Sequence, residues 1–309
     1  MKKVDIVVPI FNEEDCIELF ADELALVAKA NDQYKFRLIF VNDGSTDDTF
    51  SKILEISNNS FEVACLNFTR NFGKEAALTA GLNYSTADAV IPMDVDLQDP
   101  PGIISEMLKL WSAGAQIVLA RRSRRDEDNW LKRNSAEAFY KVMNKLATPP
   151  IPENVGDFRL MDRKVVDAVN SLPESNRFMK GIFSWVGFEQ VYLDYERTNR
   201  RAGGTKFNFA KLWTFGIEGI TSFSIRPLKI WTYLGLAVSL ASLVFAIYLI
   251  TRVVFLGVEM PGYASTMVAI TLIGGLQLMG IGVLGEYVGR IFLEAKRRPL
   301  YLISDVYER

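Results

Sequence analysis

No histidine occurs anywhere in the 309 residues, which excludes Ser-His-Asp triads, histidine-ligated zinc and imidazole acid–base chemistry. Carboxylates, Lys, Arg and Tyr are left to carry any reaction. Cysteine is nearly as scarce. Cys16 and Cys65 form neither a CxxC pair nor a disulfide framework, which fits a reducing compartment. An excess of one charge is lacking too: 35 Lys and Arg face 37 Asp and Glu, so no overall charge points to nucleic acid. Neither GxGxxG nor GxxxxGK[ST] follows the first apolar run, which argues against dinucleotide oxidoreductases and P-loop NTPases. The first residues show no signal-peptide pattern, because Lys2-Lys3 leads into an apolar stretch that Pro9 and Asn12-Glu13-Glu14 interrupt.

Charge is missing most sharply from the C-terminal third. Residues 230–250 form a run of 21 without a formal charge, and residues 264–285 a run of 22 whose most polar side chain is Gln277. At about 1.5 Å per residue each is long enough to cross the hydrocarbon core of a bilayer as a helix. Two transmembrane helices are expected. Arg226 and Lys229 precede the first, and Arg290, Lys296, Arg297 and Arg298 follow the second; the loop at 251–263 offers Arg252 offset by Glu259. The positive-inside rule then places both termini and the large N-terminal domain in the cytosol. Between these parts, Phe209, Trp213, Ile217 and Ile220 recur at helical spacing. They read as an amphipathic helix in the membrane interface or as a helix packed on the soluble domain.

The N-terminal part alternates short β-rich runs with helical periodicity. Strands are expected at 5–10, 37–42, 62–68, 89–93 and 116–120, and helices at 13–30, 47–58, 74–84 and 101–113. Crossovers this long imply a parallel sheet with helices on both faces, and ligands bind such sheets beyond the carboxyl ends of the strands. The loops there hold the unusual residues. Glu13 and Glu14 fall in the expected first turn of a helix, Gly44 allows a positive φ in the second loop, and Asp47 can cap the helix after it. Asp94 and Asp96 flank one residue at the end of the fourth strand, which sets both side chains toward one side. With the amide oxygen of Gln98 nearby they suit Mg²⁺ or Mn²⁺, which completes its shell with phosphate oxygens and water. A lone DxD arises by chance in turns; one that ends the fourth strand, after an NDGS turn, is far more specific.

PIFNEED, VNDGSTDDT, RNFGKEAAL and PMDVDLQDPP, in this order and spacing, resemble the family 2 glycosyltransferases of the GT-A fold. VGDFRLMDR at 155–163, GGTKF at 203–207 and the two apolar runs narrow the resemblance to the polyprenyl-phosphate glycosyltransferases, of the bactoprenol glucosyltransferase or dolichol-phosphate mannose synthase type. The resemblance covers nearly the whole chain. It implies a Rossmann-like, mostly parallel GT-A domain over 1–205, an interfacial amphipathic region over 206–228, a two-helix membrane domain over 229–289 and a cytosolic tail over 290–309. It also implies that Pro9, Asn12 and Glu14 hold the nucleotide's base and ribose and that Asp43 contacts the base, with Asn42 an amide variant of the motif's first acid. Asp94, Val95, Asp96 and Gln98 match the metal and diphosphate site. Asp157 matches the acid near the anomeric carbon, where it serves as a base, orients the acceptor, or simply pairs with Arg159.

Arg121, Arg122, Arg124, Arg125, Lys132 and Arg133 place six cations within 13 residues. They make either a solvated face attracted to anionic lipid or an anion hole for an acceptor phosphate. The resemblance favours Arg122, Arg133 and Ser135 as phosphate ligands; Arg201 and Lys206, just before the expected interfacial helix, can meet the same anions from the membrane side. None of the five glutamines begins the QxxRW motif of processive synthases, so a single transfer is expected: one hexose from a nucleotide sugar, UDP-glucose foremost, to undecaprenyl phosphate with inversion. GDP-mannose and UDP-N-acetylglucosamine are the alternative donors, and a non-catalytic nucleotide-binding membrane subunit is the reading from another class. Neither apolar run carries an interior charge, which argues against a flippase or pore. Gly274, Gly275, Gly280, Gly282, Gly285 and Gly289 give the second run a nearly bare surface, from which a homo-oligomer in the inner membrane is expected, the alternative being that they pack only against the chain's own first span.

Overall fold

The computed structural model describes residues 1–56, 60–123, 155–174, 177–196, 226–256 and 262–309. Two compact units divide the chain, Met1–Gly219 with Arg298–Arg309, and Ile220–Arg297. The first is an eight-stranded sheet built from β1 (Lys2–Ile10), β2 (Tyr34–Asn42), β3 (Glu62–Phe68), β4 (Ala89–Pro92), β5 (Ile117–Arg122), β6 (Val155–Asp162), β7 (Gln190–Tyr195) and β8 (Ile303–Glu308), in the order β7-β5-β6-β4-β1-β2-β3-β8. The helices α1 (Ile17–Ala30), α2 (Thr49–Glu55), α3 (Lys74–Tyr84) and α4 (Ile104–Ser112) connect the first five strands, and α5 (Arg163–Asn170) and α6 (Met179–Trp185) lie between β6 and β7.

Both faces of the central strands are buried, as a parallel sheet under helices requires. Val4, Ile6 and Val8 of β1 join Phe20 and Leu24 of α1 and Leu108 of α4 in one core, while the intervening Val7 faces α3. There the fit is close enough to demand glycine: a Cβ on Gly81 would lie 2.2 Å from Val7 Cγ1. Strands β4, β1, β2 and β3 are mutually parallel, in the register Val4–Ala89, Val4–Phe36 and Arg37–Glu62. All four thus deliver their C-terminal loops to one edge of the sheet.

Three features depart from the sequence expectations. First, α1 begins at Ile17 rather than Glu13. Asn12 takes a left-handed φ of 53°, and the residues after it bond sideways into the second loop instead of starting the helix. Second, β5 does not pair with β4. Strand β6 lies between them, antiparallel to both, because Phe158 and Leu160 fill the core there. Third, the final residues continue the sheet as β8, antiparallel to β3. Val63 and Arg309 exchange backbone hydrogen bonds of 3.1 and 2.8 Å, and Thr69 donates to Leu302 O at 3.0 Å. An edge strand that would offer unpaired amides is thereby covered.

The second unit holds two long helices, α7 (Arg226–Leu256) and α8 (Tyr263–Ala295). Among the described residues one stretch, Leu272–Ala295, is long and apolar enough to cross a membrane by length and composition. Trp231 of α7 packs its indole 3.5 Å from where a Cβ on Gly280 would stand, whereas among the described residues nothing lies within 4 Å of a Cβ at Gly282, Gly285 or Gly289. The expected interfacial helix, with Trp213, and the residues Arg133, Ser135, Arg201 and Lys206 lie outside the described residues.

Candidate functional site

The loops after β1, β2, β3 and β4 enclose a cleft of about 390 Å³, lined by Pro9, Asp43, Lys74, Asp94, Val95 and Asp96 among others. Its walls are tied together before any ligand arrives. Asn12 accepts the Thr46 amide at 2.8 Å and donates its own N–H to Ser45 Oγ at 3.0 Å. Glu14 accepts the Asp48 amide at 2.8 Å, and Asp47 accepts that of Thr49, the first residue of α2, at 3.1 Å, although the residue at the N-cap position is Asp48. Asn12 and Glu14 therefore lock the first loop to the second.

Asp43 does the same for the second and third loops. It is 3% exposed, and its two oxygens accept the amides of Phe72 at 2.6 Å and Gly73 at 2.9 Å. Burial pushes its carboxyl above the usual range, while those two amides and Arg70 pull it back. Gly44 follows with φ +68°, and a Cβ there would meet the backbone of Arg70 and Asn71 at 2.5 and 2.6 Å. The positive φ read from the sequence is present, and the close approach of two backbones explains it.

Gly73, at φ +98°, turns the third loop into α3, whose first residue is Lys74. Its ammonium sits 2.6 Å from Asp94 Oδ1 and 2.8 Å from Asp157 Oδ2. The sequence reading left Lys74 out, although a signal exists: a lysine in the first turn of a helix opposes the positive end of the helix dipole, so anionic partners are implied. Desolvation works against the charge on Lys74, but Asp157 and Asp94 outweigh it and hold its pKa above the ordinary lysine value. Burial likewise opposes charge on Asp157, yet Lys74, Lys180 and Arg159 together hold that carboxyl below the usual range. The ion pair of Asp157 runs to Lys74. Arg159 instead donates to the carbonyls of Gly156 at 2.7 Å and Asp157 at 3.3 Å and lies 4.2 Å over the Phe183 ring.

Asp94 and Asp96 both border the cleft, but not through strand alternation: β4 ends at Pro92, the two acids lie in the turn after it, and the intervening Val95 borders the cleft as well. Asp96 Oδ1 accepts the Gln98 amide at 3.2 Å, which places Gln98 beside the pair through its backbone. Arg122, expected at an acceptor phosphate, has partners within the protein. Its Nη2 lies 3.6 Å from Asp99 Oδ1, and its Nε donates to Tyr195 Oη at 3.2 Å. Tyr195 in turn donates to Asp99.

The chain matches Glycosyl transferase family 2 over residues 5–169 and the GtrB C-terminal hairpin over residues 226–291. A bactoprenol glucosyl transferase of Shigella phage SfX is 52% identical over 303 residues, which are 98% of this chain and 99% of that one. The chain belongs to glycosyltransferase family 2. An uncharacterized glycosyltransferase of Synechocystis sp. is 49% identical over 306 residues, 99% of this chain and 96% of that one. Among solved structures, a mannosyltransferase of Pyrobaculum calidifontis in complex with GDP-Man and Mn²⁺ overlaps 96% of this chain and 86% of its own, with TM-score 0.49 and 18% identity. The resemblance read from the four linked motifs holds. The family match covers the loops that build the cleft, and the hairpin match covers α7 and most of α8.

Beside this family 2 cleft, Glu75 faces the same charges as Asp157. Burial, with the Asp157 carboxylate adding to it, pushes Glu75 up to about 7, against the pull of the Met179 amide, Lys74 and Lys180. The native state thus keeps a proton that an ordinary glutamate releases near 4.5. Through that window the unfolded chain binds fewer protons, so Glu75 makes stability fall as pH rises from about 4.5 to 7. Glu75→Gln is expected to narrow the difference in urea midpoint between acidic and alkaline buffers. The same pH dependence in variant and wild type would refute the assignment.

Proposed function

We propose that this protein transfers one glucose from UDP-glucose to a polyprenyl phosphate at the cytosolic face of the inner membrane, with inversion at the anomeric carbon. One observation carries the reading: two carboxylates, Asp94 and Asp96, border the same cleft as an ammonium paired with Asp157. The near-full-length likeness to a bactoprenol glucosyl transferase supports the donor sugar and the lipid carrier.

Among the described residues, no three His, Cys, Asp or Glu side chains form a metal cage. Two hard carboxylates on an open cleft suit Mg²⁺ or Mn²⁺, which keeps several waters and takes phosphate oxygens from its substrate. When bound, such an ion offsets the charge that develops on the departing nucleoside diphosphate. Asp94 and Asp96 hold it, with Gln98 beside them. Pro9 and Asp43 line the end of the cleft assigned to base and ribose, Asn12 and Glu14 hold the loops that frame it, and Val95 lines the wall assigned to the diphosphate.

Asp157 acts by charge. A carboxyl held below its usual pKa is a poor proton acceptor, and a phosphate monoester with a second pKa of about 6 is already mostly dianionic at neutral pH. An oxygen of that phosphate attacks the anomeric carbon from the face opposite the diphosphate. The bond to the donor oxygen breaks and its electron pair leaves on the nucleotide. Asp157 orients the acceptor and favours positive charge on the sugar. Arg122, Arg133, Ser135, Arg201 and Lys206 are assigned to the acceptor phosphate.

Purified protein with UDP-glucose, undecaprenyl phosphate and Mg²⁺ is expected to form an extractable lipid-linked glucose, with GDP-mannose and UDP-N-acetylglucosamine as weak donors. Asp94→Ala or Asp96→Ala should lower turnover by more than about 100-fold, the scale of one strong transition-state contact. EDTA should silence the wild type until Mg²⁺ or Mn²⁺ is returned; full activity in EDTA would end the metal assignment.

The cations flanking α7 and α8 support a two-span hairpin with both termini in the cytosol. Cys16 and Cys65 are buried, so an introduced thiol reports with little background. Cysteine at Gly257 should label from outside intact cells and cysteine at Ser304 should not. The reverse pattern would overturn the orientation.

The glycines of α8 that open onto space support a homo-oligomer, since helices in lipid associate where small residues let backbones approach. Light scattering corrected for detergent should give a multiple of the chain mass, reduced by Gly282→Leu or Gly285→Leu. An active wild-type monomer would sink this assignment.

A further inference from the structure

The bond between Lys74 and Asp94 occupies the carboxylate that a metal needs. Lys74 Nζ contacts Asp94 Oδ1 at 2.6 Å and Oδ2 at 2.9 Å, so the ammonium spans both oxygens. A divalent ion that takes Asp94 competes with an ammonium bonded to the same two atoms, because the two cations would share one small anion at contact range. Each weakens the hold of the other.

The two carboxylates that hold Lys74 differ in burial. The Asp94 side chain is 40% exposed and that of Lys74 is 44% exposed, whereas Asp157 is 15% exposed. The Asp94 end of the bridge is therefore the screened, exchangeable one, and the Asp157 end is the anchor. Lys74 is also the first residue of α3, where the helix dipole disfavours a cation. An ammonium that lets go of Asp94 keeps Asp157 but loses half of its compensation, and the cleft admits a replacement anion: the diphosphate of the donor.

We propose that Lys74 is a placeholder for the divalent cation, neutralising Asp94 in the donor-free protein and passing from Asp94 to the donor diphosphate when the metal takes that carboxylate. Metal and nucleotide then bind as a coupled pair. A metal arriving alone must displace an ammonium that is left with Asp157 as its partner and loses one of its two carboxylates, whereas a metal arriving with a nucleoside diphosphate brings a replacement anion with it. The inference rests on the metal-dependent donor site proposed above. It adds a positioning residue, on another element, that sets the order and affinity of loading.

Mn²⁺ binding to the full-length protein in detergent, read from the loss of the free-ion electron paramagnetic resonance signal, tests this without any turnover. Wild type is expected to bind Mn²⁺ weakly alone and at least ~10-fold more tightly with UDP, within the usual range of coupling between two sites. Lys74→Gln should bind Mn²⁺ alone ~10-fold more tightly than wild type and lose most of the enhancement by UDP. Lys74→Arg, which keeps the charge, should retain weak binding and the enhancement. Lys74→Met replaces Lys74→Gln if the latter does not purify folded. Donor-free affinity in the neutral variants equal to or below that of wild type overturns the inference, and UDP-dependent Mn²⁺ binding by wild type in the same experiment would leave the proposed function standing. No Mn²⁺ binding by wild type even with UDP would remove the metal site and this inference together.

Discussion

A carboxylate almost sealed from solvent, Asp43, accepts two consecutive backbone amides, those of Phe72 and Gly73, and the geometry of the cleft depends on that arrangement. Burying a carboxylate is costly unless its oxygens are satisfied. Hydrogen bonds to a charged group contribute about 1.5–3 kcal/mol each, but only while the third loop holds the turn that points both amides inward. Gly44 closes the same junction from the other side, since any side chain there would enter the backbone of Arg70 and Asn71. Once these two contacts fix the loop, α3 starts at a set place and Lys74 is delivered to Asp94 and Asp157.

The charges around Asp157 follow from that placement. Asp157 comes from β6, the antiparallel strand between β4 and β5, and Lys74 comes from the start of α3. With Lys180 and Arg159 also near, the field at Asp157 is positive enough to keep the carboxylate ionised despite its burial. Glu75, one residue from Lys74, is pushed the other way, up to about 7, first by burial and then by Asp157 as a like charge. Burial acts on both acids, and their titrations part because the direct ion pair with Lys74 outweighs it at Asp157 alone.

Period-2 patterning and Gly/Asp-rich turns made the parallel half of the sheet legible: β1 to β5 lie where the alternation places them, and α3 spans the same residues, 74–84. The start of α1 was misread because the acidic side chains of Glu13 and Glu14 suit a first helical turn, while the left-handed Asn12 and the bonds to the second loop are tertiary facts. Strand β6 was hidden because its residues stood out as a motif rather than as an alternating run. Strand β8 was hidden because a strand that covers a distant edge has no sequence neighbour to pair with. At the site, residue types were legible and their partners were not. Arg122 is expected from the sequence at an acceptor phosphate, and the sequence does not show that Asp99 and Tyr195, from two other segments, meet it as well.

The C-terminal strand bears on the same loop as Asp43. Tyr301 stacks on Phe68 with 5.1 Å between ring centroids, and Phe68 meets Phe72 edge-on at 5.7 Å. Phe72 is the residue whose amide Asp43 holds. The third loop is therefore gripped at one residue from two sides, by a hydrogen bond from within and by a row of three aromatic rings from the sheet edge. Polar satisfaction alone would fix the direction of the amide and leave the loop free to lift. Aromatic packing alone would hold its height and leave the turn undefined. The two together restrict both, so the residues after α8, read as a tail in the sequence, are part of what keeps Lys74 on its carboxylates.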